Sequence, residues 1–483
     1  MANMITDLAP QKVWYYFNEI CKIPHKSTHE KALTDFIIRF AKERGLKHKL
    51  DKAGNLVVKK EASKGCNSKK ILVLQSHIDM VCVGESGSKF DPLKDQIVPR
   101  ISGEWVTAIG TSLGADNGIG VAIMLAVLDD NNLKHGPIEA LFTVSEEITL
   151  VGALNLGKDM VEGKTLLNLD SEEDDTIYIG CAGAGVSNVK FKFIRNKLPQ
   201  GFSGIRIKIS GLKGGHSGLN IGEQRGNAIK ILSRILANIK RDNEALISAI
   251  DGGTARNVIP SQAEAVIAIK NSKMAEIDKR IEKLIIALQK EYQTIDPNLK
   301  IDVENARVEE TIDQETTDKI IRFGYLAPAG VITMSYDIKD FIQTSSNMAM
   351  LKVENNQAVF SFHSRSSVTS ELEDVKMRIK TIADLVGGET EDLGGYPGWK
   401  PNLRSPVLNL AMGIYKELFG KEAKTKAIHA GLECGVIGET FGGMDMISIA
   451  ATLENVHSVN ERVNIKSVEK LYKFTTRIIA DFK

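Results

Sequence analysis

Residues 71–80 read I-L-V-L-Q-S-H-I-D-M, an apolar run that ends in a histidine and, two positions later, an aspartate. A short apolar run bounded by polar residues reads as a buried strand. The same design recurs at 140–148, A-L-F-T-V-S-E-E-I, and at 165–172, T-L-L-N-L-D-S-E. Between the first two lies 112–120, S-L-G-A-D-N-G-I-G, and near the C-terminus 455–462 reads N-V-H-S-V-N-E-R. Short buried strands that each end in His, Asp or Glu place those side chains along one edge of a sheet. The fold reading rests on that repetition.

Working outward, residues 10–22 and 28–44 carry helical spacing of apolar positions, with Thr28 as N-cap, Glu30 in the first turn and Gly45 as the stop. Strands are expected at 54–59, 71–75, 140–145 and 165–169, and a buried helix over 118–128. This alternation predicts an α/β domain whose mixed, mostly parallel sheet is flanked by helices and presents ligands at strand C-terminal ends. After Gly180 the texture changes. Strands at 186–194 and 205–210, a helix at 227–240, strands at 246–250, 255–259 and 263–270, a helix at 274–293 and a strand at 299–304 follow. Their order, β-α-β-β-α-β, predicts an α+β ferredoxin-like unit. A hairpin turning at Asn355-Asn356 and a helix at 370–386 come next. The turn-rich G-G-Y-P-G-W-K-P at 394–401 marks a boundary. A helix at 406–418 and a strand at 446–451 then restore the α/β texture, and His457 belongs chemically with the first segment. The expected organisation is a discontinuous catalytic domain, 1–187 and 397–483, with a second domain, 188–396, inserted in it.

The chain has 483 residues, 43% apolar and 25% charged, with a formal net charge of +1. That balance gives no electrostatic reason to expect a nucleic acid or an anionic membrane as partner. No apolar run approaches the roughly 18–20 residues of a membrane-spanning helix. The N-terminus lacks a signal peptide's basic start and apolar stretch. Five scattered cysteines without a C-x-x-C speak against both a disulfide framework and a cysteine metal site, and fit a reducing, cytoplasmic setting. The C-A-G-A-G-V run at 181–186 lacks the full G-x-G-x-x-G pattern and a following helix, so it reads as a hinge between domains.

Two close divalent cations need mixed carboxylate and imidazole donors, with one carboxylate shared. His77, Asp116, Glu147, Asp170 and His457 meet that need. The expected division is His77 and Asp170 on one ion, Glu147 and His457 on the other, and Asp116 between them. Asp79, two residues from His77, is expected to accept from its ring and orient it. Consecutive residues at a strand end diverge, so Glu147 binds metal while Glu146 faces the attacking water as general base. Taken singly, each of these residues has an ordinary explanation: a helix cap at Asp116, a solvated pair at Glu146-Glu147, a hydrogen-bonded ring at His457. The joint pattern carries the reading.

With S-H-I-D-M-V, G-A-D-N-G-I-G, S-E-E-I-T-L-V-G, N-L-D-S-E-E, G-G-H-S-G, R-N-V-I-P, G-L-E-C-G and H-S-V-N-E-R in this order, nearly the whole chain resembles the M20 family of zinc peptidases. The resemblance implies two Zn2+ ions, with Mn2+ or Co2+ as substitutes, on the five ligands above, Glu146 as base and Asp79 behind His77. It implies a cis peptide after the bridging aspartate, here Asp116–Asn117. The inserted domain becomes a lid that carries substrate contacts and a homodimer interface. His216 would stabilise the oxyanion, Asn257 and Arg365 would hold a substrate carboxylate, and Gly431 would line the substrate. The implied activity is hydrolysis of unblocked dipeptides, Xaa-His types among them. Two rivals share the fold. One is an amidohydrolase acting on N-acyl amino acids, and the other is a binding protein without catalysis.

Overall fold

A computed structural model describes residues 4–241 and 243–483. The chain divides into two compact units: Met1–Cys181, Trp399–Ala427 and Leu432–Lys483 form the first, and Ala182–Gly398 with Ile428–Gly431 the second.

The first unit is built on an eight-stranded mixed sheet. Its order is Lys47–Leu50, Leu56–Lys60, Ile138–Thr143, Leu72–His77, Thr165–Asn168, Asp445–Ser448, Thr176–Cys181, Lys424–Ile428. The central strands, from Ile138–Thr143 to Asp445–Ser448, run parallel. Antiparallel neighbours flank them. Every residue of Leu72–His77 and Ile138–Thr143 is buried, because helices cover both faces of a parallel sheet, and this accounts for their unbroken apolar runs. His77 stands opposite Thr143, and Gln75 opposite Asn168, so the strand ends are level and the loops leaving them start from one edge.

Helix Ala115–Leu128 is buried on all sides, which its near-absence of polar residues predicts. It lies so close to the sheet that a Cβ at Gly120 would meet Asn117 Oδ1, Ser76 Oγ and the Leu169 carbonyl. Helix Pro406–Phe419 starts with Ser405 capping the Leu408 N–H and proline in the first turn. Helix Ile465–Asp481 starts with Asn464 capping Ser467. A four-stranded sheet, Leu453–Glu454, Arg462–Asn464, Trp105–Ala108 and Pro99–Ser102, carries the loop that contains His457.

The second unit is a nine-stranded sheet in which every registered pairing is antiparallel. Four of its strands, in the order Lys300–Ala306, Phe202–Ser210, Ala263–Lys270, Ala245–Gly252, alternate in sequence with helices Ala228–Lys240 and Met274–Tyr292. This is the ferredoxin-like β-α-β-β-α-β order. The sheet continues through the hairpin Ile342–Glu354 and Gln357–Ser366, whose two turn residues, Asn355 and Asn356, both have positive φ as a two-residue primed turn requires. Phe191, Phe323, Phe360 and Phe362 stack edge-on in its core.

Two local expectations fail. Residues 255–259 form a loop, tied to 215–217 by Ser217 N–H donating to the Asn257 carbonyl and Ile259 N–H to the Gly215 carbonyl. Pro260 then removes the donor that a strand would need. Thr28 does not cap the second helix, which begins at Lys31 without a side-chain cap. Thr28 has φ 69°, and the Glu30 carboxylate is turned toward the 145 loop. The five cysteines are all unpaired. Among the described residues, no helix is long and apolar enough to cross a membrane.

Candidate metal centre

His77 is the last residue of its strand. Its Nδ1 lies 3.0 Å from the Asp79 backbone carbonyl, a contact in which the ring nitrogen must donate. In the neutral ring this leaves the Nε2 lone pair free. Nε2 lies 3.0 Å from Asp170 Oδ1 and 3.2 Å from Asp116 Oδ1. The other oxygen of Asp116, Oδ2, is 3.3 Å from His457 Nε2, which is 2.8 Å from Glu147 Oε1. The five side chains thus fall into two groups joined by one carboxylate: His77, Asp116 and Asp170, and Asp116, Glu147 and His457. Glu146 and Glu147 also approach His77 within ligand range.

The arrangement fits a pair of cations. Glu147 Oε1 is buried and has no hydrogen-bond partner, although His457 Nε2 is near it, so the two atoms face a common centre rather than each other. Tetrahedral donors about 2.0–2.2 Å from a zinc ion stand about 3.3–3.6 Å apart, and the donor pairs here, at 2.8 to 3.3 Å, lie at or somewhat inside that spacing. The donors are carboxylates and imidazoles without thiolate, a set for zinc and its borderline-hard neighbours.

Without cations, protons balance the carboxylates. The neighbouring carboxylates of Asp116 and Glu147 push His457 up to about 11. Burial opposes the charge on His77, but Asp170 and Asp116 outweigh it and raise the ring well above its ordinary value. Burial likewise opposes ionisation of Asp116, while His457 and His77 hold it far below the carboxylate range. A raised histidine pKa stabilises the fold fully below the ordinary value of 6.5, and the contribution disappears as pH climbs through the folded value, for His457 near 11. At pH 7 both rings are therefore charged, and metal uptake must displace about two protons. Calorimetric titration of the apoprotein in two buffers of different ionisation heat should show this release, shrinking as pH rises toward 11. Uptake at pH 7 with no proton release would contradict the arrangement.

Carboxylates that touch no ligand atom hold the loops in place. Asp79 was expected to orient His77. Its carboxylate reaches the ring only at 3.4 Å, while its shorter bonds accept from the backbone N–H groups of Glu146 at 2.9 Å and Glu147 at 3.2 Å. Glu30 accepts from Ser145 N–H and Oγ, at 3.0 and 2.8 Å, fixing Ser145 at φ 52°. Asn117 Nδ2 donates to Asp170, and the Asp116–Asn117 peptide is cis. Glu433, fully buried, accepts from Gln75 Nε2 and Thr143 Oγ1, both at 2.6 Å, and burial pushes it up to about 8. Glu146 is raised well above the carboxylate range, first by burial and then by Asp170, Glu433 and Glu147, against the opposing charge of His77.

Four further residues lie in the second unit. His216 Nδ1 accepts from the N–H groups of Gly218 and Leu219, so in the neutral ring Nε2 carries the proton. Burial, with Arg365 nearby, lowers this ring to about 4. Arg365 is buried and, among the described residues, has no carboxylate within ion-pair distance; its Nε lacks a partner. Its Nη2 is 3.5 Å from His216 Nε2, so two N–H donors stand side by side. Gly431 lies against Tyr396, whose hydroxyl a Cβ there would meet at 2.7 Å. Asn257 is exposed, and its carbonyl holds the 217 N–H. Burial and Arg365 also lower His363 and His429, which belong to no motif singled out in the sequence, each to about 3. Only their later position beside Arg365 distinguishes them.

A model of peptidase family M20/M25/M40 matches residues 73–481. The chain is 37% identical over 478 residues to the cytosol non-specific dipeptidase of Escherichia coli K12, across 99% of each protein. The crystal structure of aminoacylhistidine dipeptidase from Vibrio alginolyticus is 35% identical, with a TM-score of 0.95 over 100% of this chain and 98% of that one. A tripeptidase from Staphylococcus aureus, 20% identical with a TM-score of 0.55 over 98% of both chains, shares the fold.

Proposed function

This chain belongs to the M20/M25/M40 peptidase family, and on that premise we propose that it is a two-metal dipeptidase cleaving unblocked dipeptides, Xaa-His types included. One observation carries the chemistry: Asp116 presents one oxygen to His77 and the other to His457. We assign one ion to His77, Asp116 and Asp170 and the other to Asp116, Glu147 and His457, zinc being the ion that the donor set suits best, with Mn2+ or Co2+ as substitutes.

When bound, the ions acidify a water molecule from pKa 15.7 toward about 7 and polarise the scissile carbonyl. Glu146, held through its N–H by Asp79, takes the water's proton on a side-chain oxygen and returns it to the leaving amine nitrogen. His216 donates Nε2–H to the developing oxyanion. Arg365 and Asn257 hold the substrate's terminal carboxylate, with Gly431 lining the substrate.

The spacing of the donors sets the length of the substrate. In a dipeptide only the amide nitrogen and one Cα separate the scissile carbonyl from the carboxylate. Donors 3.5 Å apart suit that separation. Each added residue moves the carboxylate by about 3.3–3.6 Å. Dipeptides should therefore exceed tetrapeptides in kcat/KM by at least about tenfold, a difference of ~1.4 kcal/mol, whereas N-acetyl amino acids keep the same separation and differ only at their blocked N-terminus. Comparable rates on tetrapeptides would remove the length argument, and preference for N-acetyl amino acids would favour the amidohydrolase reading. We place the enzyme in the cytoplasm as a homodimer joined through the inserted domain.

A further inference from the structure

Glu461 lies in the H-S-V-N-E-R segment four residues after His457, and the reaction above does not use it. It is 2% exposed. Its carboxylate accepts four successive backbone N–H groups: Oε2 takes those of Leu113 and Gly114 at 2.8 and 2.9 Å, and Oε1 those of Ala115 and Asp116 at 2.8 and 3.3 Å. One buried carboxyl group thus satisfies four backbone N–H groups of the turn that leads into helix Ala115–Leu128, whose backbone is not helical at Asp116 and Asn117. The same turn carries Asp116.

Glu461 is also fixed to the other side. Its N–H donates to the Ser458 carbonyl at 3.1 Å, and its own carbonyl accepts from Thr107 Oγ1 at 3.1 Å. Ser458 Oγ closes the turn onto the Asn455 carbonyl at 2.7 Å, and between them His457 is held at φ 60°. A single side chain therefore joins the backbone that presents Asp116 to the backbone that presents His457. The first ligand group has its own supports, Asp79 behind His77 and Asn117 on Asp170.

We propose that Glu461 is a positioning residue that sets the Asp116–His457 separation and so selectively governs the affinity of the second metal ion. A helix cap alone would stabilise the whole fold without preferring one ion. The inference rests on the two-ion reading of the site.

The test is Co2+ titration of metal-stripped full-length protein, wild type and Glu461→Gln, followed by visible absorption and by metal content after gel filtration. The amide keeps the shape but turns an NH2 group against two of the backbone donors. Expected is a first ion bound within about threefold of wild type and a second weakened about 10–100-fold, the range for loss of an outer partner of a ligand. The altered cobalt spectrum should belong to the second equivalent, and excess Co2+ should restore turnover. Glu461→Asp, which keeps the charge and withdraws it by one methylene, is titrated alongside and decides the matter if the glutamine variant does not fold. Two ions bound as in wild type, or both weakened equally, would overturn the inference. Fewer than two ions on wild-type protein would instead overturn the two-ion reading itself.

Discussion

Replacing Glu146 by glutamine should lower kcat by about 10²- to 10⁴-fold while the protein still takes up both ions. The amide has nearly the carboxylate's volume, and the bonds that place residue 146 run through its backbone N–H to Asp79, so the loop keeps its shape. What disappears is the only function assigned to the side chain, accepting and returning a proton. KM should change little, because the proton transfer belongs to the transition state and not to binding. The same substitution should also raise the stability of the metal-free protein at neutral pH. A buried carboxyl whose folded pKa lies above its ordinary 4.5 binds more protons folded than unfolded, so stability falls as pH rises between those two values. Glutamine removes that loss. A higher melting temperature together with abolished turnover is the paired signature to look for. Turnover near wild type in Glu146→Gln would remove it as the base.

Replacing Asp116 by alanine should be more damaging to the metal site. This side chain is the one that contacts both histidines, with one oxygen directed at each. Without it each ion keeps only two of its proposed ligands. At least one ion should be lost from protein passed through a desalting column, and the weaker site should lose more than the ~10–100-fold that removing an outer partner costs. The proton release on metal uptake should shrink as well. His457 would retain Glu147 alone as partner, and its raised pKa owes its first cause to Asp116. Asp116→Asn separates the two effects, since its single amide oxygen has to choose between the ions. Content of two ions per chain in Asp116→Ala, with activity preserved, would refute the shared-carboxylate arrangement.

The proposed ligand set was legible because parallel strands buried on both faces leave long apolar runs, and acidic or histidine residues stand out at their ends. His77, Glu147 and Asp170 all lie at or just beyond the ends of such runs, and the level register of Leu72–His77 with its neighbours brings the strand ends to one edge. Asp116 and His457 lie outside the central strands and were placed by the chemical need for a shared carboxylate and a second imidazole. The ferredoxin-like order was legible from alternation, whereas its continuation into one nine-stranded sheet was not, since pairing of distant strands leaves no local pattern. The R-N-V-I-P segment misled for a related reason. Its β-branched residues suit a strand, but the backbone donors and acceptors there are taken by the 215–217 loop.

The supporting carboxylates were hidden more deeply. Glu30 has the position of a first-turn helix residue, and its bond to Ser145 spans 115 residues of sequence. Glu461 meets the helix start across 345 residues or more, a contact that no spacing within either segment announces. His216 and Arg365 came into view only through the family resemblance, because a histidine among glycines and an arginine on a strand are ordinary by themselves. In the structure Arg365 Nη2 stands 3.5 Å from His216 Nε2, a proximity across 149 residues that neither segment announces.

Diffraction from a zinc-loaded crystal, recorded on either side of the zinc absorption edge, tests the central claim most directly. Two anomalous peaks should flank Asp116, one within coordination distance of His77 and Asp170 and the other of Glu147 and His457. A single peak, or zinc bound away from Asp116 with His77 and His457 facing no common neighbour, would contradict the account.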